Sequence, residues 1–238
     1  MVKLEICAGS IEHALEACSA GASRIELNSC LCTGGLTPST GVVREIREAT
    51  QTPLAVMIRP RPGGFVYSPA EKRAILHDAG VLRSMGADCL VVGALLPSGG
   101  VDSGFIEEVL TISRGCQVVF HRAVDTLPDI YSAVGELTDL GVDRVLTSGG
   151  RRTAWEGRGV IAELQRVYGD RIEILPGSGI NSGNARRIVT ETGCRWLHGS
   201  FRGRQKVLQD QTEIVPPEPC GPSSVEIRSI LDELAETQ

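Results

Sequence analysis

The sequence predicts an α/β protein of the (β/α)8 TIM-barrel class, folded as one domain over residues 1–203 with a C-terminal extension. Three observations predict it. Short apolar runs of strand character alternate strictly with helical stretches. A phrase recurs as "GASRIEL" from Gly21, "GADCLVV" from Gly86, "GVDRVLT" from Gly141 and, in weaker form, "GCRWLH" from Gly193. Its spacing is roughly two βα units, and an apolar strand sits between each pair of copies, which makes eight strands in all. The length of 238 residues suits one large barrel domain.

Taken in order, the first strand centres near Ile6 in "KLEICAG", and a helix follows over Ser10–Ala20. In each copy of the phrase, glycine suits the left-handed end of a helix, and the strand begins two or three residues later. The second strand centres near Ile25, followed by a helix over Pro38–Ala49. The third, "PLAVMIRPR", centres near Val56 and leads to Pro69–Met85. Leu90 and Val119 centre the fourth and fifth strands, with helices over Ser103–Ser113 and Asp125–Leu140. Val145, Ile174 and Leu197 centre the last three, with helices over Thr153–Tyr168 and Ser182–Thr192 between them. A doubly wound open sheet is the alternative, but it would place a GxGxxG turn after its first strand. That position reads "CAGSIE", so no nucleotide cofactor is expected. Residues 204–238 form the extension. Its "QDQTEIVPPEPCGPSS" is polar and proline-rich and reads as loop, and "SVEIRSILDELAE" predicts a helix at about 223–236, capped by Ser223 or Ser224.

Composition excludes several function classes. The net charge is −5 and basic residues are scattered, which argues against nucleic acid and anionic membrane surfaces as partners. No stretch approaches the roughly 20 apolar residues that span a bilayer. The opening "MVKLEICAGS" runs directly into a strand with no leader pattern, so the protein is expected in the cytoplasm. Its eight cysteines are then expected as reduced thiols. A homodimer is the default expectation, because closed two-fold assemblies are the commonest kind.

In a barrel of this class, chemistry sits at the C-terminal ends of the strands and in the loops after them. Those positions hold Glu5 and Cys7, Glu26 and Asn28, Arg59 and Arg61, His121 with Asp125, and His198. Polar groups inside apolar strands are costly unless paired. Glu5, Glu26, Arg59 and Arg61 therefore either plug the barrel mouth as a neutralised network or line a pocket for a small anionic or hydroxylated molecule. Asp125 either caps the next helix or orients His121 as a general base. The glycines of "LPGSGI" make Gly177, Ser178 and Gly179 a tight turn or an anion cradle, with His198, Gly199 and Ser200 of the eighth strand as its partner. Cys30 and Cys32 flank one leucine in the second loop, as two small residues or as soft ligands.

The motifs "LEIC", "RIEL", "GGLTPS", "VMIRPRPGGFVYS", "FHRAVD", "RVLTSGG", "LPGSGI" and "LHGS", in this order from about residue 3 to 203, resemble those of the CutC family. The resemblance implies an α/β barrel and a cytoplasmic protein of copper homeostasis that binds copper. It also implies copper ligation by the cysteine of the first strand, here Cys7, and by a cysteine directly after "IEL". The second position is Asn28 in this chain, so Cys30 and Cys32 stand as replacement ligands if their loop folds over the mouth. The residues themselves also permit an enzyme of isomerase or lyase type. There Glu5, Glu26 or His121 would be the acid or base, Arg59 and Arg61 would hold an anion, and the 177–179 and 199–200 loops a phosphate. No lysine falls at a strand end, which argues against Schiff-base chemistry.

Overall fold

The computed structural model describes residues 2–202 and 221–235. Eight strands alternate with helices: β1 (Lys3–Ala8), α1 (Ile11–Ser19), β2 (Arg24–Leu27), α2 (Thr40–Ala49), β3 (Leu54–Met57), α3 (Pro69–Ser84), β4 (Cys89–Val92) and α4 (Ser103–Ile112). The second half follows as β5 (Gln117–Phe120), α5 (Ile130–Leu140), β6 (Arg144–Thr147), α6 (Arg158–Tyr168), β7 (Glu173–Pro176), α7 (Ala185–Thr192), β8 (Trp196–Gly199) and α8 (Ser224–Ala235). All neighbouring strands are parallel, in the order β7-β6-β5-β4-β3-β2-β1-β8. One parallel bridge between Gly177 and His198 joins β7 to β8 and brings the sheet round into a barrel.

The recurring phrase has a structural cause. Gly21, Gly86, Gly141 and Gly193 all take φ between 72° and 101°, as a left-handed helix stop requires. The polar residue two positions on then binds a backbone amide at or next to the start of the preceding odd-numbered strand. Ser23 Oγ accepts from Leu4 N at 3.4 Å, and Asp88 Oδ2 from Leu54 N at 2.8 Å. Asp143 Oδ2 accepts from Val118 N at 2.8 Å. Alternate strands are pinned at their bottoms, so the sequence repeats every two units.

Apolar residues facing outward from the strands pack under the helices in one large core. A smaller cluster, including Ala55, Met57, Val91, Val119, Leu146 and Leu175, fills the barrel itself. Charged residues occupy several of the remaining interior positions. Register places Glu5 beside both Arg24 and His198, and Cys7 beside Glu26, on the same face as Ala55.

Three expected helices begin at least three residues later than their sequence patterns. The segment expected over Asp125–Leu140 splits into a 3-10 turn at Arg122–Thr126 and α5. Pro128 drives Leu127 into extended backbone, with ψ of 145°. Thr153–Tyr168 begins instead at Arg158, after a turn in which Thr153 Oγ1 caps Glu156 N at 3.2 Å. Ser182–Thr192 begins at Ala185, because the Asn181 and Asn184 side chains bind loop amides in its place. The last helix starts one residue after Ser223, whose Oγ accepts from Glu226 N at 3.4 Å. The proline-rich stretch with Cys220 lies outside the described residues.

Candidate functional site

The C-terminal end of the barrel opens into a cavity of about 690 Å³. Strand register assembles its floor. Cys7 and Glu26 are paired neighbours on β1 and β2, and His198 stands on the other side of β1. One ligand atom from each of the three lies within 4.8 Å of the others, and all three residues are buried. Asn28 ties the first two together. Its Nδ2 donates to Glu26 Oε2 at 2.8 Å and to Cys7 Sγ at 3.3 Å. Gly35 makes room for it, since a Cβ there would lie 2.2 Å from Asn28 Oδ1. The other carboxylate oxygen, Glu26 Oε1, is buried without a hydrogen-bond partner.

Glu5 lies one pleat deeper, about 6.6 Å below Cys7 along the strand, and does not line the cavity. Its Oε1 meets His198 Nδ1 at 2.7 Å, and its Oε2 accepts from Arg24 Nε. Burial alone would raise the Glu5 pKa, but His198 and Arg24 hold it below the carboxylate range. Burial likewise opposes charge on His198, yet Glu26 and Glu5 lift its pKa above the usual imidazole value. Cys7 is pushed well above an ordinary thiol by burial and by the Glu26 carboxylate, so it rests protonated. A cation placed among these groups reverses that balance, because it favours thiolate and carboxylate and displaces protons.

The opposite wall is built by the ends of β3 and β5. Arg59 and His121 are both buried there and both line the cavity. His121 Nδ1 accepts from Ala123 N at 3.1 Å, which puts the ring proton on Nε2. Asp125 does not orient His121. Its carboxylate accepts from Thr147 Oγ1, Ser148 N and Gly150 N and pairs with Arg122. Nor does it cap α5, whose N-cap is Asp129. Its role is to fasten the β6 loop to the 3-10 turn.

The other sequence-derived candidates divide. Ser178, Gly179, Gly199 and Ser200 line the cavity. Gly177 serves packing, as a Cβ there would lie 2.6 Å from Leu146 Cδ1. Arg61 is turned outward, with Nε on Glu71 Oε1 at 2.5 Å and its remaining donors on loop carbonyls. Cys30 and Cys32 are exposed, on either side of Leu31, and it is Leu31 that lines the cavity. Cys18, Cys89, Cys116 and Cys194 are free thiols away from the cavity. Phe65, Arg151 and Glu226 are among the cavity residues that sequence reasoning did not single out. Glu226 arrives from α8, where its carboxylate accepts from Ser182 N at 2.6 Å, and no sequence pattern announces such a return. No helix among the described residues is long and apolar enough to cross a membrane.

Comparison with known proteins gives a consistent result. The CutC family matches residues 2–203. A family protein CutC from Treponema denticola is 47% identical over 197 residues, covering 83% of this chain and 80% of its own. One from Bacteroides fragilis is 42% identical over 199 residues, covering 83% and 79%. The crystal structure of a protein from Streptococcus agalactiae, provisionally titled copper homeostasis protein CutC, superposes with a TM-score of 0.80 at 34% identity, covering 84% of this chain and 98% of that one. Phosphoribosylanthranilate isomerase of Thermotoga maritima superposes with a TM-score of 0.62 at 14% identity over 99% of this chain and 100% of its own, a likeness of fold alone.

Proposed function

Because this chain belongs to the CutC family, we propose that it serves copper homeostasis by binding a copper ion at the barrel mouth through Cys7, Glu26 and His198. The observation that carries this reading is the convergence of three buried donors within 4.8 Å. A thiolate and an imidazole suit copper, and Glu26 Oε1 lacks any protein donor that a metal would have to displace. Glu5 accepts at His198 Nδ1 and so turns Nε2 towards Glu26, 3.9 Å from its Oε2. Such an outer carboxylate is the usual companion of a ligating histidine. Cys30 and Cys32 enter this proposal only as competitors for the metal, and the isomerase or lyase reading is not the one the family match favours. The proposal places the protein in the cytoplasm, where its thiols stay reduced.

Anaerobic titration of the reduced protein with Cu(I) against a competing chelator tests it. Expected is one tight equivalent that is lost in Cys7→Ser and kept in the Cys30→Ser/Cys32→Ser double variant. The reverse pattern would mean that the exposed loop thiols scavenge the metal, and the buried site would be abandoned.

A further inference from the structure

The wall facing the proposed metal site contains an uncompensated charge. The Arg59 guanidinium is held by backbone carbonyls, with the Tyr67 hydroxyl close by: Nη1 donates to the carbonyls of Thr33 at 3.0 Å and Gly35 at 3.1 Å, and Nη2 to that of Gly63 at 2.7 Å. Its Nε–H is buried with no acceptor, and no carboxylate among the described residues pairs with it. Arg61, two residues on, has Glu71. An unpaired buried cation is costly, and the fold keeps this one at 5% exposure beside an open cavity.

His121 supplies a second donor. With Nδ1 committed to the Ala123 amide, the proton is on Nε2, and that atom too is buried without a partner. The ring is accommodated on purpose: a Cβ at Gly93 would lie 2.3 Å from its Cε1. Phe65 touches both groups, with its ring centroid 5.1 Å from Arg59 Cζ and 4.9 Å from that of His121. Burial and the Arg59 charge hold the imidazole neutral, with a pKa of about 3, so it presents an N–H without adding charge.

We infer that Arg59 and His121 form a subsite for the carboxylate of a small organic acid, on the β3 and β5 side of the cavity. A carboxylate supplies the missing negative charge to Arg59 and an acceptor to both orphaned N–H groups. Phe65, Met57 and Leu31 offer apolar surface to the carbon skeleton. The donors match a planar monoanion better than a phosphate dianion, which brings more charge and more oxygens than two N–H groups serve. The subsite does not depend on the copper reading, because none of its residues belongs to the Cys7, Glu26 and His198 cluster.

The test uses the metal-free full chain and three probes: pyruvate, succinate and inorganic phosphate. Imidazole 15N and 1H signals of His121 and the thermal midpoint are followed as each is added to millimolar concentration. Expected is a saturable shift of the Nε2–H signal and a raised midpoint with at least one carboxylate. Arg59→Lys and His121→Gln should each weaken binding by about tenfold or more. Cys7→Ser should leave it unchanged, which separates failure of this subsite from failure of the metal site. The wild-type imidazole signal decides the matter even if a variant does not fold. Absence of a shift with both carboxylates, a shift with phosphate alone, or undiminished binding in the two folded variants would overturn the assignment.

Discussion

In water a histidine gains a proton near pH 6.5, but burial and the neighbouring Arg59 charge hold His121 down to about 3. Between those two values the unfolded chain binds a proton that the folded chain refuses. Stability from this residue is therefore full above pH 6.5 and is lost as the pH falls towards 3. His198 acts with the opposite sign: its folded pKa is raised, so its contribution is present in acid and fades as the pH climbs through that value. Urea unfolding across this range should show a steeper acid loss in wild type than in His121→Gln, by up to about one proton in the linkage slope. Parallel curves would show that His121 titrates normally in the fold. The same residue illustrates what the sequence could disclose. Its place at a strand end was legible from the barrel period, as were Cys7, Glu26 and His198. Its hydrogen-bond partner was not, because the Ala123 amide and the Asp125 carboxylate both lie within four residues of it. Arg59 and Arg61 fail for a related reason. Alternation would put both on one face, but Pro60 and Pro62 follow the last residue of β3 and end the strand, so the period no longer holds.

Helices and strands were legible to the extent that hydrophobic spacing governs them. All eight strand centres lie within the observed strands. The errors fall at helix starts, where turn chemistry competes with the apolar pattern: Pro128 before α5, Thr153 before α6, and the Asn181 and Asn184 turn before α7. The last helix was legible as amphipathic, but its docking was not. It packs on α1 and α7 through Ile227, Ile230 and Leu234, all buried, and delivers Glu226 to the cavity rim. Ile230→Ala removes a fully buried side chain from that seam and should destabilise the whole domain by about 2–4 kcal/mol, measured by urea denaturation. If α8 were a detachable appendage, the main transition would stay where it is and only a minor early phase would appear.

At the scale of the whole molecule, a charged column runs through the barrel from the mouth to the bottom. Glu26 faces His198, His198 meets Glu5, Glu5 meets Arg24, and Arg24 lies 4.0 Å from Glu173, which also pairs with Arg144. The Trp196 ring lies near both guanidinium groups, with Arg24 Cζ 4.2 Å and Arg144 Cζ 5.6 Å from its centroid. The barrel was legible from alternation, but this column was not, because the two residues of each pair lie on different strands. Buried pairs of this kind stabilise less than their loss costs, since a single deletion strands the partner. Arg24→Met should therefore destabilise by about 3–5 kcal/mol, while Glu5→Leu/Arg24→Met should recover most of it. The double variant also removes the acceptor at His198 Nδ1, so the proposed copper affinity should remain down by about 10–100-fold although the fold is restored. Denaturation and chelator competition on the same three proteins separate the two roles. If folding and copper affinity recover together, Glu5 only balances Arg24. If folding recovers and affinity does not, the column links the barrel's interior charge to the geometry of its mouth.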